Sequence, residues 1–104
     1  MNLKTKEFVS ESGLLITQLT VSSQGYSELH KHPKTHEYYQ VLSGTGKILL
    51  EEKGEMVERT LLTGNFVSIP PDCPHKIRHV GQEIFPLVLL SIKNSNEPDY
   101  VNLE

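Results

Sequence analysis

The chain has 104 residues, room for one domain with a modest core. Leu, Ile, Val and Phe fill 31 positions, above the roughly one-fifth below which chains stay disordered, and Ala is absent; without the strongest helix former a helical bundle is disfavoured. Ten basic and thirteen acidic side chains leave a net charge of −3 with no basic stripe, which argues against nucleic acid, and the longest apolar run, 84–92, is far short of the roughly 20 residues a membrane helix needs.

In chain order, short extended segments alternate with turn signals. The opening residues lack the apolar stretch of a signal peptide, and 4–10 can form an N-terminal strand. Gly13 precedes a strand over 14–21, which ends at Ser22-Ser23-Gln24-Gly25. A strand over 26–32 is stopped by Pro33. The next, 36–43, meets Gly44-Thr45-Gly46, and 47–52 meets Lys53-Gly54. Segments 56–62 and 66–69 follow, the second ending at Pro70-Pro71. Strands over 75–80 and 85–93 complete the pattern, and the polar segment 94–104 reads as a loose surface tail. Strands at this spacing predict an all-β sandwich or barrel in a single domain spanning 1–104. Leu49, Phe66, Ile69, Leu87 and Leu89 are expected in its core. The single cysteine, Cys73, has no internal disulfide partner, and the expectation is a soluble, cytoplasmic chain.

Histidines stand at 30, 32, 36, 75 and 79. Residues two apart on a strand share a face, so His30 and His32 are about 6.6 Å apart along it, near enough to converge on one ion. Glu37 opens the next strand and can add an oxygen. His75 and His79 also share a face. Three nitrogens and one carboxylate suit a first-row divalent transition metal better than Mg²⁺ or Ca²⁺. Strand parity places Glu37 inward with Tyr39 and Val41 and His36 outward, although a one-residue slip would exchange His36 for Glu37.

Two stretches carry a resemblance. Residues 25–44 contain Gly25, His30, His32, Glu37 and Gly44, and residues 64–79 contain Gly64, Pro70 and His75, with nineteen residues from Thr45 to Thr63 between them. This order and spacing resemble the two motifs of the cupin superfamily, in the short-gap form of small single-domain, RmlC-like members. The resemblance implies a jelly-roll, or double-stranded β-helix, barrel whose bowl holds a divalent metal (Fe, Mn, Zn or Ni) on His30, His32, Glu37 and His75. Asp72 stands where the family usually has a turn glycine, which Asp tolerates better than most residues, and His79 where it usually has Asn. Gly25 lies one residue closer to His30 than usual.

Tyr39 and His79 are candidate catalytic or substrate-contacting residues, a neutral His near a metal being able to act as a general base. Parity also places Tyr26 and Glu28 on the ligand face, toward the mouth. Cys73 reads as a turn residue, with the prolines around it aiming His75. The function expected is that of a small metal-dependent enzyme of dioxygenase, isomerase or lyase type acting on a polar small molecule; the alternative is a non-catalytic sugar- or ligand-binding module. The resemblance further implies a homodimer, with strand 4–10 added to the partner's sheet.

Overall fold

The structure, a computed structural model, describes residues 1–82 and 84–104. Its strands are β1 (Leu3–Glu11), β2 (Leu14–Val21), β3 (His30–Lys31), β4 (Glu37–Ser43), β5 (Thr45–Glu52), β6 (Glu55–Leu61), β7 (Phe66–Ile69), β8 (His75–Val80), β9 (Leu87–Lys93) and β10 (Val101–Asn102). They form two five-stranded antiparallel sheets, β1-β2-β9-β4-β7 and β10-β3-β8-β5-β6. This is the double-stranded β-helix, with the core between the sheets. Among the described residues, no helix is long and apolar enough to cross a membrane.

Alternation along each strand builds that core. On β4, Glu37, Tyr39 and Val41 are buried while Tyr38 and Gln40 are not; on β9, Leu87, Leu89 and Ser91 are buried between half-buried Val88, Leu90 and Ile92. The inner face changes character along the barrel. Val41 pairs with Leu89 in its apolar part, Tyr39 with Ser91, and Glu37 with Lys93 at the polar end. Four residues of strand thus separate hydrocarbon from charge.

The turn from β4 to β5 requires Gly44. Its φ is +81°, and an added Cβ would lie 2.2 Å from the Pro86 carbonyl oxygen. Asp72 takes the left-handed conformation at φ 65°, and its carboxylate pairs with Lys31 at 2.9 Å.

The structure corrects three expectations. Only His30–Lys31 of segment 26–32 is a strand. Tyr26 bridges Arg78 while His30 pairs with His75, so one extra residue is inserted between them; the Ser27 side chain accepts the Ile77 N–H there, and the slip turns Tyr26 outward. Segment 94–104 is not loose, because β10 zips onto β3 through Val101↔Lys31 and Asn102↔His30. β1 pairs on one side with β2 of its own chain, from Leu3↔Val21 to Glu11↔Leu14, through the Ser12-Gly13 hairpin, and lies at the edge of its sheet. Phe66 is 60% exposed, since it pairs with outward-facing Gln40, and Leu49 is half-buried on the outer face between Ile48 and Leu50. Ile69, Leu87 and Leu89 are buried.

Candidate metal centre

His30 and His75 face one another across the β3–β8 ladder, Glu37 opens β4, and His32 follows β3 directly before Pro33. All four are buried, and a ligand atom from each lies within 4.8 Å of the others. His36 is outside this group. Its ring stacks on Tyr38 at 4.5 Å and its Nε2 meets Ser68 Oγ at 2.7 Å on the outer face.

Every ligand imidazole is oriented by a carbonyl oxygen on its Nδ1: Glu28 O at 2.7 Å for His30, Asp99 O at 2.6 Å for His32 and Cys73 O at 2.9 Å for His75. A carbonyl only accepts, so each Nδ1 carries the proton and each Nε2 is free to ligate. The Nε2 atoms of His75 and His32 lie 3.0 and 3.3 Å from Glu37 Oε1. Lone pairs at such distances repel unless a cation lies among them. His32 Nε2 is, among the described residues, the one buried side-chain nitrogen or oxygen without a hydrogen-bond partner. The donor set therefore fits a divalent transition metal on both chemistry and orientation.

Glu37 is held on its other oxygen as well. Ser91 Oγ donates to Oε2, and Lys93 Nζ lies 4.0 Å away. Burial alone would raise the Glu37 pKa, but the imidazoles of His32 and His75 beside it and the charge of Lys93 outweigh it and hold the carboxyl ionised well below its usual range. Burial, reinforced by His75, lowers His30 to about 4, so this ring is neutral at ordinary pH. Burial, reinforced by Glu37, raises the Tyr39 phenol well above its ordinary value.

A cavity of about 340 Å³ opens onto the cluster. Tyr39, Ser91 and Lys93 line its polar end, Leu3 and Leu19 an apolar wall, and Glu7, Glu28 and Tyr100 are also on its surface. An ion of higher coordination number held by these four groups would keep positions open toward this space for a small molecule, whereas a four-coordinate ion would be closed by them.

Tyr39 is brought to this site, its ring 6.0 Å from that of His75. His79 is not. Four residues along β8 from His75, it pairs with Gly46, beside Leu87, and its Nε2 meets the Phe85 carbonyl at 2.8 Å, toward the opposite end of the inner face. Shared parity put the two histidines on one face, but about 13 Å of strand separates them. Tyr26 is on the outer surface under Lys76 Nζ. Cys73 Sγ turns to the Glu51 carbonyl, and burial raises its pKa, which disfavours the reactive thiolate.

Ser91, Lys93, Asp99 and Tyr100 were missed in the sequence. Ser91 carried a signal, a hydroxyl in phase with Leu87 and Leu89 on a buried strand. Asp99 and Tyr100 carried none, because nothing local says that β10 returns to β3.

A family model for the cupin domain matches residues 18–93. The chain is 37% identical over 62 residues to the uncharacterized protein MJ1618 of Methanocaldococcus jannaschii, a match spanning 60% of this chain and 45% of that one. The oxalate decarboxylase of Lactobacillus farciminis, solved as a formate complex, superposes with a TM-score of 0.85 at 21% identity, covering 98% of this chain and 31% of that one. An uncharacterized conserved protein with a double-stranded β-helix domain from Klebsiella pneumoniae superposes with a TM-score of 0.85 at 14% identity, over 97% of this chain and 79% of that one. An oxalate oxidase solved in complex with the substrate analogue glycolate superposes with a TM-score of 0.84 at 17% identity, over 98% of this chain and 55% of that one.

Proposed function

The chain belongs to the cupin family, and from that membership and its three-histidine, one-carboxylate cluster we propose that it is a metal-dependent enzyme of dioxygenase, isomerase or lyase type. The observation that carries the reading is the convergence of four buried ligand groups, with the His32 Nε2 unpartnered, on a cavity large enough for a small polar molecule. His30, His32, Glu37 and His75 would hold the ion. When bound, the ion would polarise a hydroxyl or carbonyl oxygen of the substrate or, if iron, activate O₂.

The chain's own residues supply the rest. Lys93 sets a fixed positive charge at the cavity's polar end, suited to a carboxylate or developing oxyanion. Tyr39 keeps its proton and acts as a hydrogen-bond donor rather than a base. Ser91 and Lys93 hold Glu37 ionised and in place. Leu3 and Leu19 exclude water from one side. These features favour a small hydroxy- or keto-acid or an acidic sugar, and two of the superposed proteins are named for oxalate, a small dicarboxylate.

We further infer a soluble, cytoplasmic homodimer. β1 is an edge strand, and Val88, Leu90 and Ile92 with exposed Phe66 give its sheet an apolar outer face. Sedimentation of a monomer at micromolar concentration would contradict the dimer.

The function is tested by loading the protein with Fe²⁺, Mn²⁺, Zn²⁺ or Ni²⁺ and screening small carboxylates and sugars by O₂ uptake and by NMR. Turnover that needs one metal and is lost in His75→Ala supports the proposal. Saturable binding of these compounds with no conversion under any metal would replace it with a ligand-binding module.

A further inference from the structure

Two of the three ligand histidines are oriented locally, by carbonyls two residues earlier on their own segments. His32 differs, because the oxygen on its Nδ1 belongs to Asp99, 67 positions away. The Asp99 carboxylate also accepts from the Lys34 N–H at 2.7 Å and the Thr35 hydroxyl at 2.8 Å, fixing the turn that carries the chain from His32 to Glu37. Next in sequence, Tyr100 stacks on the His30 ring at 5.0 Å and 20°. Its hydroxyl donates to Glu28 Oε2 at 3.1 Å, and Asn102 Nδ2 donates to the same oxygen at 2.7 Å. Glu28 is the residue whose carbonyl orients His30. β3 has only two residues and a single ladder pair to β8, so its other edge depends on β10.

The geometry points to residues 99–102 as a positioning strap of the metal centre, with Asp99 holding His32 and its turn and Tyr100 holding His30 and walling the cavity. The strap lies beyond residue 93, where the match to the cupin domain ends, so the barrel that carries the ligands leaves His32 to be oriented, and His30 to be packed, by the chain that follows it. Asp99 and Tyr100 touch ligands rather than the ion. Their effect is on ligand orientation, and this inference rests on the reading of the cluster as a metal site.

The test uses Co²⁺ as probe, by titration calorimetry and visible d–d absorption, together with ¹H–¹⁵N imidazole NMR of the metal-free chain. The variants are a chain ending at Pro98, Asp99→Ala, Tyr100→Ala and Tyr100→Phe. The expected result is Co²⁺ affinity about 10–100-fold lower in the shortened chain and in Tyr100→Ala, with a changed d–d spectrum. Tyr100→Phe, which keeps the stack, recovers most of the loss. In the metal-free full-length chain the His32 Nδ1–H is protected from exchange with water, and that protection is lost on shortening. A role confined to stability would lower the unfolding temperature but leave the d–d spectrum and the Tyr100→Phe recovery unmoved, and would overturn the proposal. Unchanged affinity and spectrum in folded Asp99→Ala and Tyr100→Ala would also overturn it, whether or not the shortened chain folds. If the full-length chain binds no Co²⁺, the metal reading fails, and retention or loss of His32 Nδ1–H protection on shortening then decides the strap by itself.

Discussion

His75 is held between two acceptors, its Nδ1 2.9 Å from the Cys73 carbonyl and its Nε2 3.0 Å from Glu37 Oε1. Neither oxygen can donate while Glu37 is ionised, so with its proton on Nδ1 the ring turns an Nε2 lone pair toward Glu37, and the arrangement calls for a cation between them.

Metal and proton therefore compete for the same lone pair. Affinity for Co²⁺ or Zn²⁺ is expected to fall by about tenfold per pH unit below about 4, where His30 takes up its proton, because a protonated ring cannot ligate. Calorimetry in buffers of different ionisation heat should detect the released proton. An affinity that stays constant from neutral pH to well below pH 4 would contradict a three-histidine site.

Ser91 would act on a bound ion through Glu37, to whose Oε2 its hydroxyl donates. Ser91→Ala removes the hydroxyl that orients Oε2 and is expected to weaken metal binding by about tenfold, while the far-ultraviolet circular dichroism stays that of the parent. Equal affinities in parent and variant would show that Glu37 is held adequately by its other partners.

The free chain should lose stability in acid in two stages. The folded His30 pKa is lowered from 6.5 to about 4, so between these values the unfolded state binds the extra proton. Stability from this group is complete above about 6.5 and is lost as pH falls toward 4. Glu37 has the same sign at lower pH: its ionised form is favoured in the folded chain, so its contribution is present above the ordinary carboxylate value and is lost on further acidification. Thermal unfolding in the presence of a chelator measures this. A melting temperature flat between pH 6.5 and 4 would refute the assignment for His30.

Much of the architecture was legible in the residues because turn chemistry and period-two alternation are local. Gly44, the Pro70-Pro71 pair and Gly81 punctuate the chain, and the phase of Glu37, Tyr39 and Val41 states which face of β4 is inside. Legibility ended where one segment meets another. The inserted residue between Tyr26 and His30 reversed the expected side of Tyr26, and parity placed His79 on the face of His75 without giving its distance along the barrel. Phe66 was expected inside on hydrophobicity, yet its register against Gln40 exposes it. The polar composition of 94–104 argued for a loose tail, whereas its backbone hydrogen bonds and the Asp99 and Tyr100 side chains bind it to the ligand strand. Composition states what a segment cannot bury, not which edge its backbone can complete.

The most direct test of the account is elemental analysis of protein purified without chelator or nickel affinity resin, beside the His30→Ala, His75→Ala double variant. The account predicts close to one first-row transition metal ion per chain in the parent and essentially none in a folded double variant. Equal metal content in the two, or a parent that takes up no such metal when it is supplied, would contradict it.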